Sequence, residues 1–148
     1  MKVMLDANVL VDICGKTEEF ESSFVALDVC LLRNDRPCML ACMASVVDYV
    51  THARKYLSKV DSTKAVEGLT KLLDVLDVAD VDVEEAVQNP LGDFEDAVIA
   101  FASQRHDVDL ILSRDKKGFK GSPVPVMTPR DFVAQFKPPD YSYTMADF

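Results

Sequence analysis

The most informative part of this chain reads Asp93-Phe94-Glu95-Asp96-Ala97-Val98-Ile99-Ala100-Phe101-Ala102 and, after a polar turn, Leu110-Ile111-Leu112-Ser113-Arg114-Asp115. An acidic turn is followed by an almost wholly apolar run of helix formers and then by a short β-rich run. The pattern predicts a helix, a turn and a buried strand, with carboxylates at the start of the helix and just after the strand. A helix that is apolar on nearly all sides is buried, so its acidic first turn opens into a site or against another chain.

Composition restricts what the chain can be. Its 148 residues are enough for one domain with a full core. The formal net charge of −9 leaves no overall basic field, which counts against a bulk nucleic-acid binder but less against an enzyme whose acidic cluster binds cations. No apolar run approaches ~18 residues, so no membrane span is predicted. The apolar run after the first two residues is too short for the hydrophobic region of a secretory signal peptide. We therefore expect a cytoplasmic chain.

The cysteines lie in apolar contexts, and none forms a C-x-x-C pair. The chain has only two histidines. We therefore expect reduced core thiols rather than disulfides or a zinc site. The four thiols belong to Cys14, Cys30, Cys38 and Cys42.

Strand-like and helix-like patterns alternate along the chain. Strands are predicted at residues 3–6, 38–42, 78–81, 110–112 and 124–127, the last an edge strand because it contains Pro125. Helices are predicted at residues 17–34, 45–57, 62–76, 82–88, 93–102 and 128–136. This alternation predicts a three-layer α/β/α domain around a mostly parallel five-stranded sheet. The domain is expected to span residues 1–136, followed by a C-terminal tail at 137–148.

Acidic residues follow the predicted strands or begin the predicted helices. In a parallel sheet, the active site lies outside the carboxyl ends of the strands, so these residues are expected at one edge. Each carboxylate alone is explained as a helix cap or a turn residue. Their convergence is not, because carboxylates at one mouth repel each other unless cations intervene. An all-oxygen site without nearby His or Cys suits Mg²⁺ or Mn²⁺. The residues are Asp6, Asp48, Asp93, Asp96 and Asp115.

Four short motifs resemble the PIN-domain ribonucleases, and most of all the VapC-type toxins of bacteria and archaea. Each motif alone is short, but together they occur in the family's order at suitable spacing. The resemblance covers about residues 1–136. The motifs are Leu5-Asp6-x-Asn8-Val9-Leu10, Asp96-Ala97-x-Ile99-Ala100, Ser113-Arg114-Asp115 with Phe119 following, and Val124-x-Val126-x-Thr128-Pro129.

The resemblance implies an endoribonuclease that uses Mg²⁺ or Mn²⁺ and leaves a 5′-phosphate and a 3′-hydroxyl. The second acidic position is usually Glu in this family, whereas here it is Asp48, which is one methylene shorter. Asp93 would be an additional metal ligand. The remaining implied residues are the catalytic carboxylates Asp6, Asp48, Asp96 and Asp115, of which Asp6, Asp96 and Asp115 would hold the metal, and the supporting residues Asn8, Ser113 and Ser45.

A basic loop flanks Asp115. It is either a solvated surface loop or a clamp that holds the RNA backbone beside the metal without reading its sequence. The loop residues are Arg114, Lys116, Lys117 and Lys120.

Other functions compete with ribonuclease activity. The chain could be a degenerate PIN domain that binds RNA or protein without cutting, and Asp48 in place of Glu is the one hint of this. A haloacid-dehalogenase-like phosphatase would need a second Asp at position 8, which is Asn8. A response-regulator receiver would need a phosphorylated Asp after a third strand, and that strand is weak and ends in no such motif.

The resemblance also implies partners. A VapC-type toxin would have an RNA substrate, a cognate antitoxin and a homodimeric form. Two predicted helices carry apolar residues beyond those needed to cover the sheet, and the tail adds aromatics of the type found in interface cores. These residues are Val47, Tyr49 and Tyr56 on one helix, Leu69, Leu73 and Leu76 on the other, and Tyr141, Tyr143, Met145 and Phe148 in the tail.

Overall fold

The computed structural model describes residues 1–142 and places them in one five-stranded sheet flanked by helices. The strands are β1 (Lys2–Leu5), β2 (Arg36–Leu40), β3 (Asp74–Leu76), β4 (Leu110–Leu112) and β5 (Val126–Met127). The helices are α1 (Ala7–Gly15), α2 (Phe20–Leu32), α3 (Ala41–Ala53), α4 (Lys59–Leu72), α5 (Asp80–Gln88), α6 (Phe94–Arg105) and α7 (Pro129–Phe136). Neighbouring strands pair in parallel in the order β3-β2-β1-β4-β5, which confirms the predicted fold class and the edge position of β5.

The helices cover both faces of the sheet. The chain moves outward from β1 to β3 and then crosses back to β4, and right-handed crossovers place α5 and α6 on the face opposite to α1 to α4. Helix packing agrees, because α5 packs on α6, whereas α1 contacts α2 and α3 and α3 contacts α4. Helix α7 returns to pack on α2.

The central strand β1 is buried on both faces. Met4 and Leu5 are fully buried, as are Met39 and Leu40 at the end of β2. Strands that are covered on both sides lose the apolar and polar alternation of a half-exposed sheet. Their continuous apolar runs are what made β1, β2 and β4 recognisable in the sequence.

The register brings the ends of β1 and β4 together. Leu5 lies beside Leu112, and the Asp6 N–H donates to the Leu112 carbonyl at 3.0 Å. The residues that follow these two strands, Asp6 and Ser113, therefore leave the sheet side by side. Strand pairing alone thus assembles the first part of the acidic site.

Several predicted boundaries are wrong. A helix, α1, follows Asp6 directly, in a segment where no helix was predicted. Strand β3 occupies residues that were assigned to the preceding helix, not residues 78–81. Helix α5 starts at Asp80, and Asp82 lies inside it, where its carboxylate accepts the Ala79 N–H at 2.8 Å. Short strands carry little periodicity, so the adjoining helical pattern hid β3.

Ser45 does not cap a helix. Helix α3 begins at Ala41 directly after β2, and its N-cap Leu40 offers no side-chain hydrogen bond. Ser45 lies in the second turn and is exposed. The four cysteines are free, but Cys42 is exposed rather than in the core.

The N-cap residues of the last two helices were predicted correctly. Asp93 caps α6 by accepting the Glu95 and Asp96 N–H groups at 2.9 and 3.3 Å. Thr128 caps α7 with Pro129 at its first position. In the part of the chain that the structure describes, no helix is both long and apolar enough to cross a membrane. Tyr143, Met145 and Phe148 of the tail lie outside the described residues.

Candidate active site

Acidic side chains gather where β1 and β4 end. The pKa of Asp96, at the start of α6, is raised to about 7. Burial is the largest cause, and the charges of four other carboxylates add to it. Such a shift requires those charges to be near. The four carboxylates belong to Asp6, Asp93, Asp115 and Glu95.

Asp6 is held on several sides. Its side chain accepts the Ala7 N–H at 2.7 Å, the Asn8 amide at 2.8 Å and the Ser113 hydroxyl at 2.7 Å. The residue is only 5% exposed. Burial raises its pKa, the Ser113 and Ala7 donors lower it, and the charges of Glu95 and Asp115 raise it again, with a net rise. Asp6 is therefore a fixed, desolvated carboxylate.

Asp115 is oriented by its own loop. Its Oδ1 accepts the Lys117 and Gly118 N–H groups at 3.0 and 3.2 Å, and its N–H donates to Ser113 Oγ at 3.0 Å. Asp115 is exposed, so it forms the solvent side of the cluster.

Gly118 leaves room for two carboxylates. A Cβ at this position would collide with Asp96 Oδ2 and would lie 3.3 Å from Asp115 Oδ2. The Gly118 carbonyl also accepts the Asp93 N–H at 3.2 Å, which joins the loop to the start of α6. The absence of a side chain at residue 118 thus lets helix and loop approach with their acids facing the same space.

Asp48 does not join this cluster. Its Oδ1 accepts hydrogen bonds from Ser62 at 2.7 Å and Thr63 at 3.0 Å, both on α4. These two donors, in that order of effect, hold the pKa of Asp48 below its usual value. The expectation that it points to the acidic mouth is not met, because α3 turns this side chain toward α4. Its catalytic role stays a prediction.

Glu95 is the acid that the sequence analysis missed. Its charge raises the pKa of both Asp6 and Asp96, so it lies near them. It is exposed and follows the N-cap Asp93 by two residues. The acidic run Asp93 to Asp96 was the available sign, but only helix geometry decides which of its side chains point to the mouth.

The basic loop is partly engaged within the protein. Arg114 Nε pairs at 3.1 Å with Oδ2 of Asp12, a carboxylate that the sequence analysis did not single out. Lys116 lies 3.7 Å from Asp131, and both of these side chains are more than half exposed. Lys117 and Lys120 are exposed, and the Lys117 N–H donates to the Asp115 carboxylate.

The chemistry of the site suits a hard divalent cation. The donors are carboxylate, amide and hydroxyl oxygens, and burial, followed by the charges of the neighbouring carboxylates, raises the pKa of Asp96. Within residues 1–142, however, no three His, Cys, Asp or Glu side chains are already arranged to hold a metal ion. The Asp6 and Asp115 carboxylates are instead turned toward hydrogen-bond donors of the protein.

A separate groove of about 570 Å³ runs between α2 and α7. Its lining mixes acidic Glu18, Glu19 and Glu21 with Arg130 and Lys137. Arg130 pairs with Glu19 at 2.9 Å across it. None of the acidic cluster residues lines this groove, so it is not part of the candidate site.

Comparison with known families agrees with this geometry. The family model described as "PIN domain" matches residues 2–117. The chain belongs to the PIN domain family. The match includes the elements that bring Asp6, Asp96 and Asp115 together, and it confirms the resemblance of the sequence motifs.

A curated relative extends the similarity. Ribonuclease VapC1 of Aquifex aeolicus (strain VF5) is 27% identical over 143 residues, with 91% of this chain and 95% of the relative covered. The similarity therefore runs through nearly the full length of both proteins.

Solved structures share the fold. VapBC2 from Rickettsia felis, bound to a DNA fragment from its promoter, gives a TM-score of 0.65 at 17% identity and covers 86% of this chain and 98% of that one. A toxin–antitoxin complex from Klebsiella pneumoniae gives 0.62 at 19% identity with the same coverage. At this identity the likeness concerns the fold alone. It agrees with the three-layer arrangement of a PIN domain.

Proposed function

We propose that this chain is a metal-dependent endoribonuclease that hydrolyses RNA phosphodiester bonds and acts as the toxin of a toxin–antitoxin pair in the cytoplasm. The observation that carries the proposal is the convergence of carboxylates at the ends of β1 and β4. Ser113 Oγ is bonded to the Asp6 carboxylate and to the Asp115 N–H. A Cβ at Gly118 would meet both Asp96 and Asp115. Membership of the PIN domain family and the ribonuclease relative support it.

The proposed metal ligands are Asp6, Asp96 and Asp115, with Asp93 as an additional one. A bound Mg²⁺ or Mn²⁺ would make a hydroxide available near neutral pH and stabilise charge on the phosphate oxygens. Glu95 joins the proposed acidic set, and Asp48 is kept as an outer catalytic candidate.

Hydrogen bonds from neighbouring residues orient the carboxylates of the proposed metal site. Asn8 and Ser113 hold Asp6 by hydrogen bonds of 2.8 and 2.7 Å, so this carboxylate keeps one orientation. Hydrogen-bond partners of this kind keep a metal ligand from rotating and raise the affinity of the site for the metal. The amides of Lys117 and Gly118 do the same for Asp115.

The protein has a net charge of −9, so binding of the negatively charged RNA backbone requires local basic residues. We propose that Lys117 and Lys120, with Lys116 and the remaining donors of Arg114, contact the RNA backbone. Because these contacts are electrostatic, binding should weaken steeply with salt and carry little sequence information. The choice of RNA target would then depend on RNA shape.

The test is cleavage of a labelled RNA pool with Mg²⁺ or Mn²⁺ and with EDTA. We expect metal-dependent internal cuts, and Asp6→Asn should reduce the rate at least ~10²-fold because it removes a charge but keeps the shape. Circular dichroism should show that the variant is folded. Equal cleavage by Asp6→Asn and wild type would contradict the proposed site.

A second candidate is a PIN domain that binds RNA or protein without cutting. The direction of the Asp48 carboxylate toward α4 favours it. This candidate predicts salt-sensitive RNA binding with no cleavage at any metal concentration. The same RNA pool, followed by gel shift and by product analysis, separates the two.

The toxin role has its own test. Induced expression in a bacterial host should arrest growth, and Asp6→Asn at the same protein level should not. Growth arrest by both variants would point to a cause other than RNA cleavage.

A further inference from the structure

A fully buried carboxylate is paired with the residue that precedes Asp115 of the acidic cluster. Asp12 on α1 is 0% exposed and accepts hydrogen bonds from the Thr17 hydroxyl at 2.6 Å and the Ser23 hydroxyl at 3.0 Å. Its Oδ2 also pairs with Arg114 Nε at 3.1 Å. A buried carboxylate is retained only with such partners, and the mechanism described above does not use it.

The partner of Asp12 lies in the loop that carries Asp115. Arg114 stands between Ser113, which bonds Asp6, and Asp115 itself. Its backbone N–H donates to Asn8 Oδ1 at 3.2 Å. Asn8 and Asp12 are four residues apart on α1 and so lie on one face of the helix. One face of α1 therefore holds the backbone and the side chain of Arg114.

The two members of the pair differ in freedom. Asp12 is fixed by two hydroxyls and is inaccessible to solvent, whereas the Arg114 side chain is 45% exposed. The buried carboxylate thus sets the direction of the arginine, and not the reverse.

We propose that Asp12 is a positioning residue of the site: through Arg114 it fixes residues 113–118 and thereby the position of the Asp115 carboxylate. The proposal rests on the proposed ribonuclease function. It gives Arg114 a second role, because its Nε supports the Asp115 loop while its remaining donors stay available for the proposed RNA contact.

The chain offers a matched control. Asp82 is 1% exposed and is bonded by Arg105 through two nitrogens at 2.8 Å each, but on α5, across the sheet from α1. Asp12→Asn and Asp82→Asn make the same chemical change at two buried aspartates, each of which is paired with a partly exposed arginine. Both should lower the melting temperature.

Activity should separate the variants. At a temperature where both are fully folded, Asp12→Asn should lower kcat ~10- to 100-fold with KM nearly unchanged, the size of effect typical of an outer partner of a metal ligand. Asp82→Asn should keep the wild-type kcat. Equal kcat in Asp12→Asn and Asp82→Asn would overturn the proposal.

Arg114 supplies the second test. If Asp12 acts through Arg114, Arg114→Gln should lower kcat to the same extent, and the double variant should be no worse than either single one. An unchanged kcat in Arg114→Gln, or additive losses of kcat in the double variant, would mean that Asp12 does not act through Arg114 and that the proposal is wrong.

A readout without RNA separates this proposal from the proposed function. Amide hydrogen exchange by NMR should be faster at Asp115, Lys117 and Gly118 in Asp12→Asn than in Asp82→Asn, because these amides are bonded inside the loop. If the wild type cuts no RNA, the exchange result still decides the positioning role. Equal exchange in the two variants would refute it.

Discussion

Ser113 Oγ donates a 2.7 Å hydrogen bond to Asp6 Oδ2, which joins the ends of two neighbouring strands across 107 positions of sequence. The same oxygen accepts the Asp115 N–H at 3.0 Å. One buried hydroxyl therefore ties two of the proposed metal ligands to each other.

Removing this hydroxyl should impair the site. Ser113→Ala is expected to reduce RNA cleavage ~10- to 100-fold, because Asp6 loses a donor and the Asp115 amide loses its acceptor. Ser103→Ala is the control: Ser103 Oγ is buried on α6 and has no hydrogen-bond partner in the described structure. That change should leave cleavage intact. Single-turnover assays of both variants provide the measurement, and a similar loss in both would argue against the role of Ser113.

Gly118 gives a second prediction, which concerns space. Gly118→Ala puts a methyl group where Asp96 Oδ2 lies, so we expect weaker Mn²⁺ binding by calorimetry and a strong loss of cleavage. Gly68→Ala is the matched change, because nothing lies within 4 Å of that position in α4. It should stabilise the protein by up to about 1 kcal/mol without affecting either measurement. Normal Mn²⁺ binding by Gly118→Ala would mean that the site does not use this space.

The roles of Glu95 and Asp48 can be compared directly. Glu95 lies beside Asp6 and Asp96, whereas the Asp48 carboxylate is bonded to Ser62 and Thr63. We expect Glu95→Gln to reduce cleavage more than Asp48→Asn does. Asp48→Asn should mainly lower the melting temperature, since it weakens the contact between α3 and α4. The reverse ranking of the two cleavage rates would restore Asp48 as a central catalytic residue.

Acid should weaken the α5–α6 contact. Burial raises the pKa of Asp82, but the hydrogen bonds from Arg105 and the Ala79 N–H and the charge of Arg105 outweigh it, so the folded pKa lies below the ordinary 3.8. The unfolded chain then binds the proton more readily, and the stabilisation is present above pH 3.8 and lost as the pH falls through the folded pKa. The melting-temperature difference between wild type and Asp82→Asn should be constant above roughly pH 5 and shrink below it. A difference that persists undiminished in acid would contradict this.

Dimerisation is the fifth prediction. Of the helix residues first considered for it, Val47, Leu69 and Leu73 are buried in the monomer, but Tyr49 is 71% exposed and Tyr56 is 40% exposed. We expect a homodimer that buries at least ~1,000 Å² around these tyrosines. Sedimentation at micromolar concentration should show it, and Tyr49→Ser should weaken it while Val87→Ser, a similarly exposed site on α5, should not. A single species with the mass of one chain would exclude the dimer.

The parts of the fold that depend on local chemistry could be predicted from the sequence. Asp93 and Thr128 predict the starts of their helices. In each case the side-chain oxygen that marks the start in the sequence is also the group that accepts the first backbone N–H groups of the helix. Helix α1 also has a side-chain cap, because the Asp6 carboxylate accepts the Ala7 N–H. Its run Val9-Leu10-Val11 is as β-like as any strand here, so the local pattern did not distinguish a helix from a strand.

The candidate site was predictable only in part for the same reason. Asp6, Asp96 and Asp115 follow from strand ends and a helix start, which topology brings together. The direction of Asp48 depends on how α3 leaves β2, and Leu40 gives no capping signal for that. The pairing of Asp12 with Arg114 joins residues that no local pattern relates. Long-range contacts of this type are set by packing.

The position of β1 in the middle of the sheet has a consequence for synthesis. This first strand finds its two neighbours only when β2 and then β4 have been made, and the second partner, Leu112, is more than a hundred residues downstream of Leu5. At translation rates of about 5–20 residues per second, that delay amounts to several seconds or more. A nascent chain that has not yet exposed β4 has neither the Ser113 hydroxyl nor Asp115. The acidic site therefore stays unassembled on the ribosome until almost the whole domain has emerged.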